Sequence, residues 1–73
     1  MSLMELTLSK HAIEQARERG ISIDRIKKCI QRGAKHLQDN KIVSDYTYIR
    51  VVYKKIREEY FVITVMIKKG DEN

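Results

Sequence analysis

Thr47-Tyr48-Ile49-Arg50-Val51-Val52-Tyr53-Lys54 alternates between Thr47, Ile49, Val51 and Tyr53 on one side and Tyr48, Arg50, Val52 and Lys54 on the other. A period of two predicts a strand with one apolar face. Phe61, Ile63, Val65 and Ile67 repeat the pattern, with Tyr60, Val62, Thr64 and Met66 behind them. They are expected to form the apolar face of a second strand. The charged run Lys54-Lys55-Ile56-Arg57-Glu58-Glu59 between the two reads as a hairpin connection. Upstream, a shorter strand is expected over Ala34–Gln38, turning at Asp39-Asn40. Ile42-Val43-Ser44 belongs either to that hairpin or to an irregular loop.

Before Gly33 the period is helical. Ser9 is a good N-cap for a helix over residues 10–19, and Gly20 supplies its left-handed C-terminal position. Ser22 caps a second helix, with Asp24 in its first turn and Gly33 closing it. Ile23, Ile26 and Ile30 follow the i, i+3, i+7 spacing of one buried stripe. The expected fold is α+β: two N-terminal helices packed on one face of a three- to four-stranded antiparallel sheet, in the order ααβββ. A further short strand at Leu6–Leu8 is an option. The helices are expected to cover the odd-numbered sheet face. The other face would then show Tyr46, Tyr48, Arg50, Val52, Tyr60, Val62, Thr64 and Met66, a mixed surface suited to binding or to dimerisation.

The 73 residues are enough for one domain, and 42% hydrophobic content is enough for a modest core. Met1-Ser2-Leu3 reads as a cloning leader, residues 4–70 as the domain and 71–73 as a polar tail. A single cysteine excludes an internal disulfide, and Cys29 with two histidines makes no standard zinc site. Cys29 is expected to be a small apolar filler beside the buried stripe. No cofactor and no metal are expected. No apolar run approaches a membrane span, so the cytoplasm is the default compartment and no membrane partner is expected.

Charge points toward a polyanion. The chain carries 15 basic and 10 acidic residues, a net +5. Residues 10–36 hold eight bases against three acids, whereas residues 37–73 hold seven against six. Arg25, Lys28 and Arg32 form a stripe opposite the isoleucines, either a solvated helix face or a set of phosphate contacts. Tyr48 and Lys54 beside Arg50 suit RNA better than duplex DNA, since tyrosine stacks on unpaired bases while cations neutralise the backbone. An aromatic strand in a dimer face is the competing explanation. On a helical wheel His11, Gln15 and Glu18 share a side, with Arg19 at its margin. His11 is therefore expected outside the core, as a plain surface histidine or a neutral base. His36 carries no separate signal.

Ser9-Lys10-His11-Ala12, followed by Arg17-Glu18-Arg19-Gly20-Ile21-Ser22, resembles the start of a family of small uncharacterised prokaryotic domains. Their pattern reads serine or threonine, any residue, His-Ala, several residues, then Arg-Gly-Ile-Ser and a second helix. Arg50-Val51-Val52-Tyr53 and Val62-Ile63-Thr64-Val65 look like that family's two long strands, so the resemblance spans residues 6–68. The family is similar in arrangement to the RelE/ParE toxin superfamily, which includes metal-independent messenger-RNA endonucleases and gyrase poisons. The resemblance implies a RelE-like toxin-type protein acting on RNA, possible endoribonuclease activity, ribosome association in some members, and an acidic antitoxin as partner. The C-terminal catalytic segment that many such toxins carry is not identifiable in this shorter chain.

Metal-independent RNA cleavage needs a base for the 2′-hydroxyl, a cation for the phosphorane charge and an acid for the leaving oxygen. His11 is the candidate base or acid. Arg17, Arg19 and Arg50 are the candidates for phosphate stabilisation. Arg25, Lys28, Arg32, Tyr48 and Lys54 are the candidate nucleic-acid contacts. The alternative is a noncatalytic module that holds nucleic acid or an antitoxin segment. It is compatible with a homodimer through the open sheet face around Val62 and Met66.

Overall fold

The computed structural model describes residues 5–68. The expected leader and polar tail, and Gly70, lie outside them. Helix α1 runs over Lys10–Arg19 and α2 over Ile23–Arg32. Both start where a serine caps them: Ser9 Oγ accepts from Ala12 N–H and Ser22 Oγ from Arg25 N–H. Gly20 ends α1 at φ 66, the left-handed conformation that glycine adopts without a Cβ penalty. Ala12 and Ala16 of α1 and Ile26, Cys29 and Ile30 of α2 are buried. Ile23, expected in the buried stripe, is 47% exposed in the first turn of α2.

The expected antiparallel sheet of three or four strands is corrected by the structure. Among the described residues there are five strands: β1 (Glu5–Leu8), β2 (Ala34–Gln38), β3 (Lys41–Tyr46), β4 (Ile49–Ile56) and β5 (Glu59–Ile67). They lie in the order β1-β5-β4-β3-β2. Strands β2 to β5 form an antiparallel meander, while β1 lies parallel to β5, with Leu6 opposite Tyr60 and Leu8 opposite Val62. The sheet is therefore mixed, and a strand precedes the helices. Leu6 and Leu8 pack against the core cluster, which is what a four-residue strand gains by joining the sheet. The segment Ile42-Val43-Ser44 is part of β3, the partner of β2 across the Asp39-Asn40 turn. Both turn residues have positive φ, 53 and 65, as a two-residue hairpin turn that matches the strand twist requires.

A bulge in β5 also corrects the face assignment. Val52 pairs with Thr64 but Tyr53 pairs with Val62, so Ile63 is the extra residue. Alternation resets there. Val62 and Val65 are both fully buried in the cluster with Ile49, Val51 and Tyr53, and Phe61 falls on the exposed side. Tyr46 and Tyr60, expected on the open face, pack against the core instead. A charge at Val62 would therefore disrupt folding before it could report on dimerisation.

Helix α1 supplies the backbone partners that the bulge needs. Ser9 N–H donates to Val62 O at 2.9 Å, extending the β1·β5 ladder into the cap. Ser9 Oγ–H donates to Ile63 O at 3.0 Å, and Gln15 Oε1 accepts from Val65 N–H at 3.1 Å. On α2, Ser44 Oγ donates to Cys29 O at 2.6 Å and Cys29 Sγ donates to Ser44 O at 3.1 Å. A Cβ at Gly33 would meet Ser44 Oγ, Cys29 O and Asp45 O, so glycine is what lets α2 turn into β2 this close to β3.

Ser9 and Ser22 cap equivalent helices but differ in what else they hold. Ser9→Ala should cost about 2 kcal/mol, about 1 for the cap and the rest for the bulge carbonyl. Ser22→Ala, at an exposed cap, should cost about 1 kcal/mol or less. Urea unfolding of the two variants compares them directly. Equal losses would show that the bulge contact adds nothing.

Candidate nucleic-acid interface

Arg25, Lys28 and Tyr48 are the sequence-predicted residues that the fold brings together. The N-terminal half of α2 stands beside the turn between β3 and β4. There Ser22, Asp24, Arg25, Lys28, Tyr46, Thr47 and Ile49 line a shallow cleft of about 440 Å³. Arg25 Nη1 donates to Tyr48 Oη at 2.9 Å, and its guanidinium carbon lies 5.7 Å from the centre of the Tyr48 ring. A cation over an aromatic face at an exposed site adds roughly 0.5–1 kcal/mol. Tyr48 is 46% exposed, and its carbonyl accepts from Lys68 N–H at 2.8 Å, which ties the turn to the end of β5. Lys28 pairs with Asp24 at 3.7 Å on the exposed helix surface. Arg25 and Lys28 against Asp24 leave the cleft lining with a net positive charge of one.

Arg50 lies on the other side of the sheet. Its neighbours Ile49 and Val51 face the helices, so Arg50 faces away with Val43, Val52 and Met66 in a second shallow cleft. Asp45, directly opposite on β3, accepts from Arg50 Nε at 2.7 Å and from Nη2 at 3.1 Å. Lys68 Nζ adds a longer pair to Asp45 at 3.8 Å. The Arg50 hydrogen bonds hold the Asp45 carboxyl below its ordinary value, and the same bonds raise the guanidinium further. Lys54, two pairs of residues along β4, shares this face and is exposed.

His11, Arg17 and Arg19 are exposed on α1. His11 occupies its first turn, whereas Arg17 and Arg19 occupy its last. At 1.5 Å per residue, roughly 12 Å of helix separates His11 from Arg19. Arg19 stands 3.9 Å from Glu18. Arg32 is exposed at the end of α2. The four residues suggested for catalysis thus lie at two ends of α1 and on the opposite face of the sheet. Gln15, placed on the His11 side of the wheel, turns to β5 instead. Sequence reasoning missed Asp45. Its signal was cross-strand pairing with Arg50, visible only once β3 is recognised as a strand.

A family model described as a domain of unknown function, DUF4258, matches residues 8–67. No curated protein and no solved structure gives a match. Among the described residues, no helix is long and apolar enough to cross a membrane.

Asp45 has a depressed folded-state pKa, so its pair with Arg50 stabilises the fold above the ordinary carboxylate value. That contribution is lost as pH falls through the lowered one. Asp45→Asn should cost about 1 kcal/mol at pH 7, kept small by solvent screening around the partly exposed Arg50. The gap to wild type should close on acidification below the ordinary carboxylate range. Urea midpoints across that range measure it. A gap that is constant with pH would mean the loss is one of packing.

Proposed function

We propose that this chain, which belongs to the DUF4258 family, binds single-stranded RNA along the α2 side of the molecule. The observation that carries the reading is the Arg25–Tyr48 contact. It fixes a tyrosine ring at a turn tip beside two cations that the fold leaves exposed. An unpaired base stacks on an aromatic face without regard to its identity, and arginine and lysine meet the adjacent phosphates. The rest of the basic excess in residues 10–36 lies on α1, on α2 and at the start of β2. The positive excess that would meet the phosphate backbone therefore lies in the helical half of the chain.

The reading is of binding. Cleavage without a metal requires base, acid and cation at one phosphate, and the suggested catalytic residues do not converge. The toxin class and an acidic antitoxin partner rest on the resemblance of the α1 motif and the two strands. An antitoxin segment rich in carboxylates is the competing ligand for the same cations.

A labelled single-stranded RNA titrated at several salt concentrations, with EDTA present, tests this reading. Tyr48→Ala should weaken binding by roughly 1–3 kcal/mol, and Lys28→Ala should lower the salt slope by about one. Arg50→Ala should leave affinity unchanged. Binding that depends on Arg50 and ignores Tyr48 would move the interface to the open sheet face. RNA products that vanish in His11→Ala would restore the nuclease.

A further inference from the structure

Strand β2 ends the sheet, and all five of its residues are exposed. None of its side chains belongs to the buried cluster or packs against it, so β2 is held mainly by its ladder to β3. Leu37 is 77% exposed, more than any other large apolar side chain among the described residues.

The pairing pattern says which backbone groups lie idle. A two-residue turn is closed by a bond between its flanking residues, here Gln38 and Lys41. Hydrogen-bonded and non-bonded pairs then alternate along an antiparallel ladder. Ala34, His36 and Gln38 therefore bond to β3, while the N–H and C=O groups of Lys35 and Leu37 point out of the sheet. Such an edge is a template for another strand, and a lysine is a common guard against it. Here the guard is turned away. Lys35 Nζ donates to Gly33 O at 3.1 Å and to Gln31 O at 3.5 Å, where its charge meets the carbonyl end of α2.

We propose that β2 pairs antiparallel with β2 of a second copy of this chain, across a two-fold axis at His36, joining two five-stranded sheets into one of ten. Self-complementarity selects this register. Centred on His36, Lys35 lies opposite Leu37 of the other copy on both sides of the axis, and all the idle groups of both residues are bonded. Centred on Lys35, two lysines face each other. Centred on Leu37, Lys35 meets Asp39, whose φ of 53 has already left the strand. The contact is isologous, so it closes at two copies and does not propagate. The axis stands perpendicular to the sheet, which leaves the helices of both copies on the same side. A chain of this size gains from such association because its own core is small.

Light scattering over a concentration series, without RNA, tests the dimer independently of the RNA reading. Wild type should approach twice 8.6 kDa. Leu37→Pro removes an N–H that the single chain does not use, and should give a monomer with an unchanged circular dichroism spectrum. His36→Cys adds a register test that does not depend on the proline variant folding. Non-bonded antiparallel pairs lie about 4.5 Å apart at Cα, within disulfide reach, so oxidation should yield a covalent dimer. Lys35→Cys should not, because its counterpart is Leu37. The native Cys29 is buried in the core, away from this edge. Wild type that stays at 8.6 kDa up to its solubility limit would overturn the proposal. So would a dimer indifferent to Leu37→Pro whose His36→Cys form does not cross-link.

Discussion

The β5 bulge at Ile63, held by Ser9 and Gln15, is the constraint on which the rest of the molecule is arranged. A regular strand presents alternate residues to the core, and Val62 and Val65 would then point to opposite faces. The extra residue lets both enter the same cluster. A bulge leaves backbone groups without ladder partners, and burying them unpaired costs about 1–3 kcal/mol each. Ser9 meets this demand at Ile63 O while capping α1, and Gln15 accepts from Val65 N–H two residues beyond the bulge. The two contacts fix where α1 starts and which side lies on β5. They also cover the β5 edge beyond the end of β1. The other edge, β2, has no such cover.

Features written in local chemistry were legible in the sequence. Both serine caps, the Gly20 terminus, the bounds of α1, and β2 with its turn all follow from residues within a few positions of one another. Cys29 sits buried among isoleucines as its neighbours suggested. What escaped was nonlocal. The strand offered as an option at Leu6–Leu8 exists as part of β1, but its parallel pairing with β5 has no turn to announce it. In β3, Ser44 disguises a buried strand as a loop because its hydroxyl is spent inside, on Cys29 O. The bulge was hidden for a different reason. Tyr60 to Ile67 is apolar at nearly every position, so alternation chose faces for Phe61 and Val62 that the backbone reverses.

The same misreading displaced the candidate site. A regular β5 and an unbroken period of two place Tyr46, Tyr48 and Tyr60 on the open face with Arg50. The sheet instead separates them. Tyr46 and Tyr60 line the core, and Tyr48 leaves the strand at a turn whose Thr47 has φ 54. That turn carries the ring to α2, beside Arg25 and Lys28. The basic stripe could be read on a helical wheel, but its aromatic neighbour could not, because the partnership is made by tertiary placement. Arg50 was given a phosphate when its own sheet already held a carboxylate for it.

The two faces consequently treat their cations differently. On the open face Arg50 and Lys68 converge on Asp45, and the carboxylate answers the guanidinium with two short bonds. On the helix side Arg25 is answered by a phenol, which orients the guanidinium without neutralising it. Lys28 meets an exposed carboxylate at 3.7 Å, a pairing worth little in water. Net charge alone does not attract a ligand to a particular place, since at physiological salt its field fades over about 8 Å. Sidedness does. Each set keeps a net charge of one, but on the open face the guanidinium is neutralised by a carboxylate, whereas on the helix side Arg25 keeps its charge beside an aromatic ring. Pairing across β2 would set two such helix layers next to each other on one side of a continuous sheet, and a flexible polyanion could follow both without turning an edge.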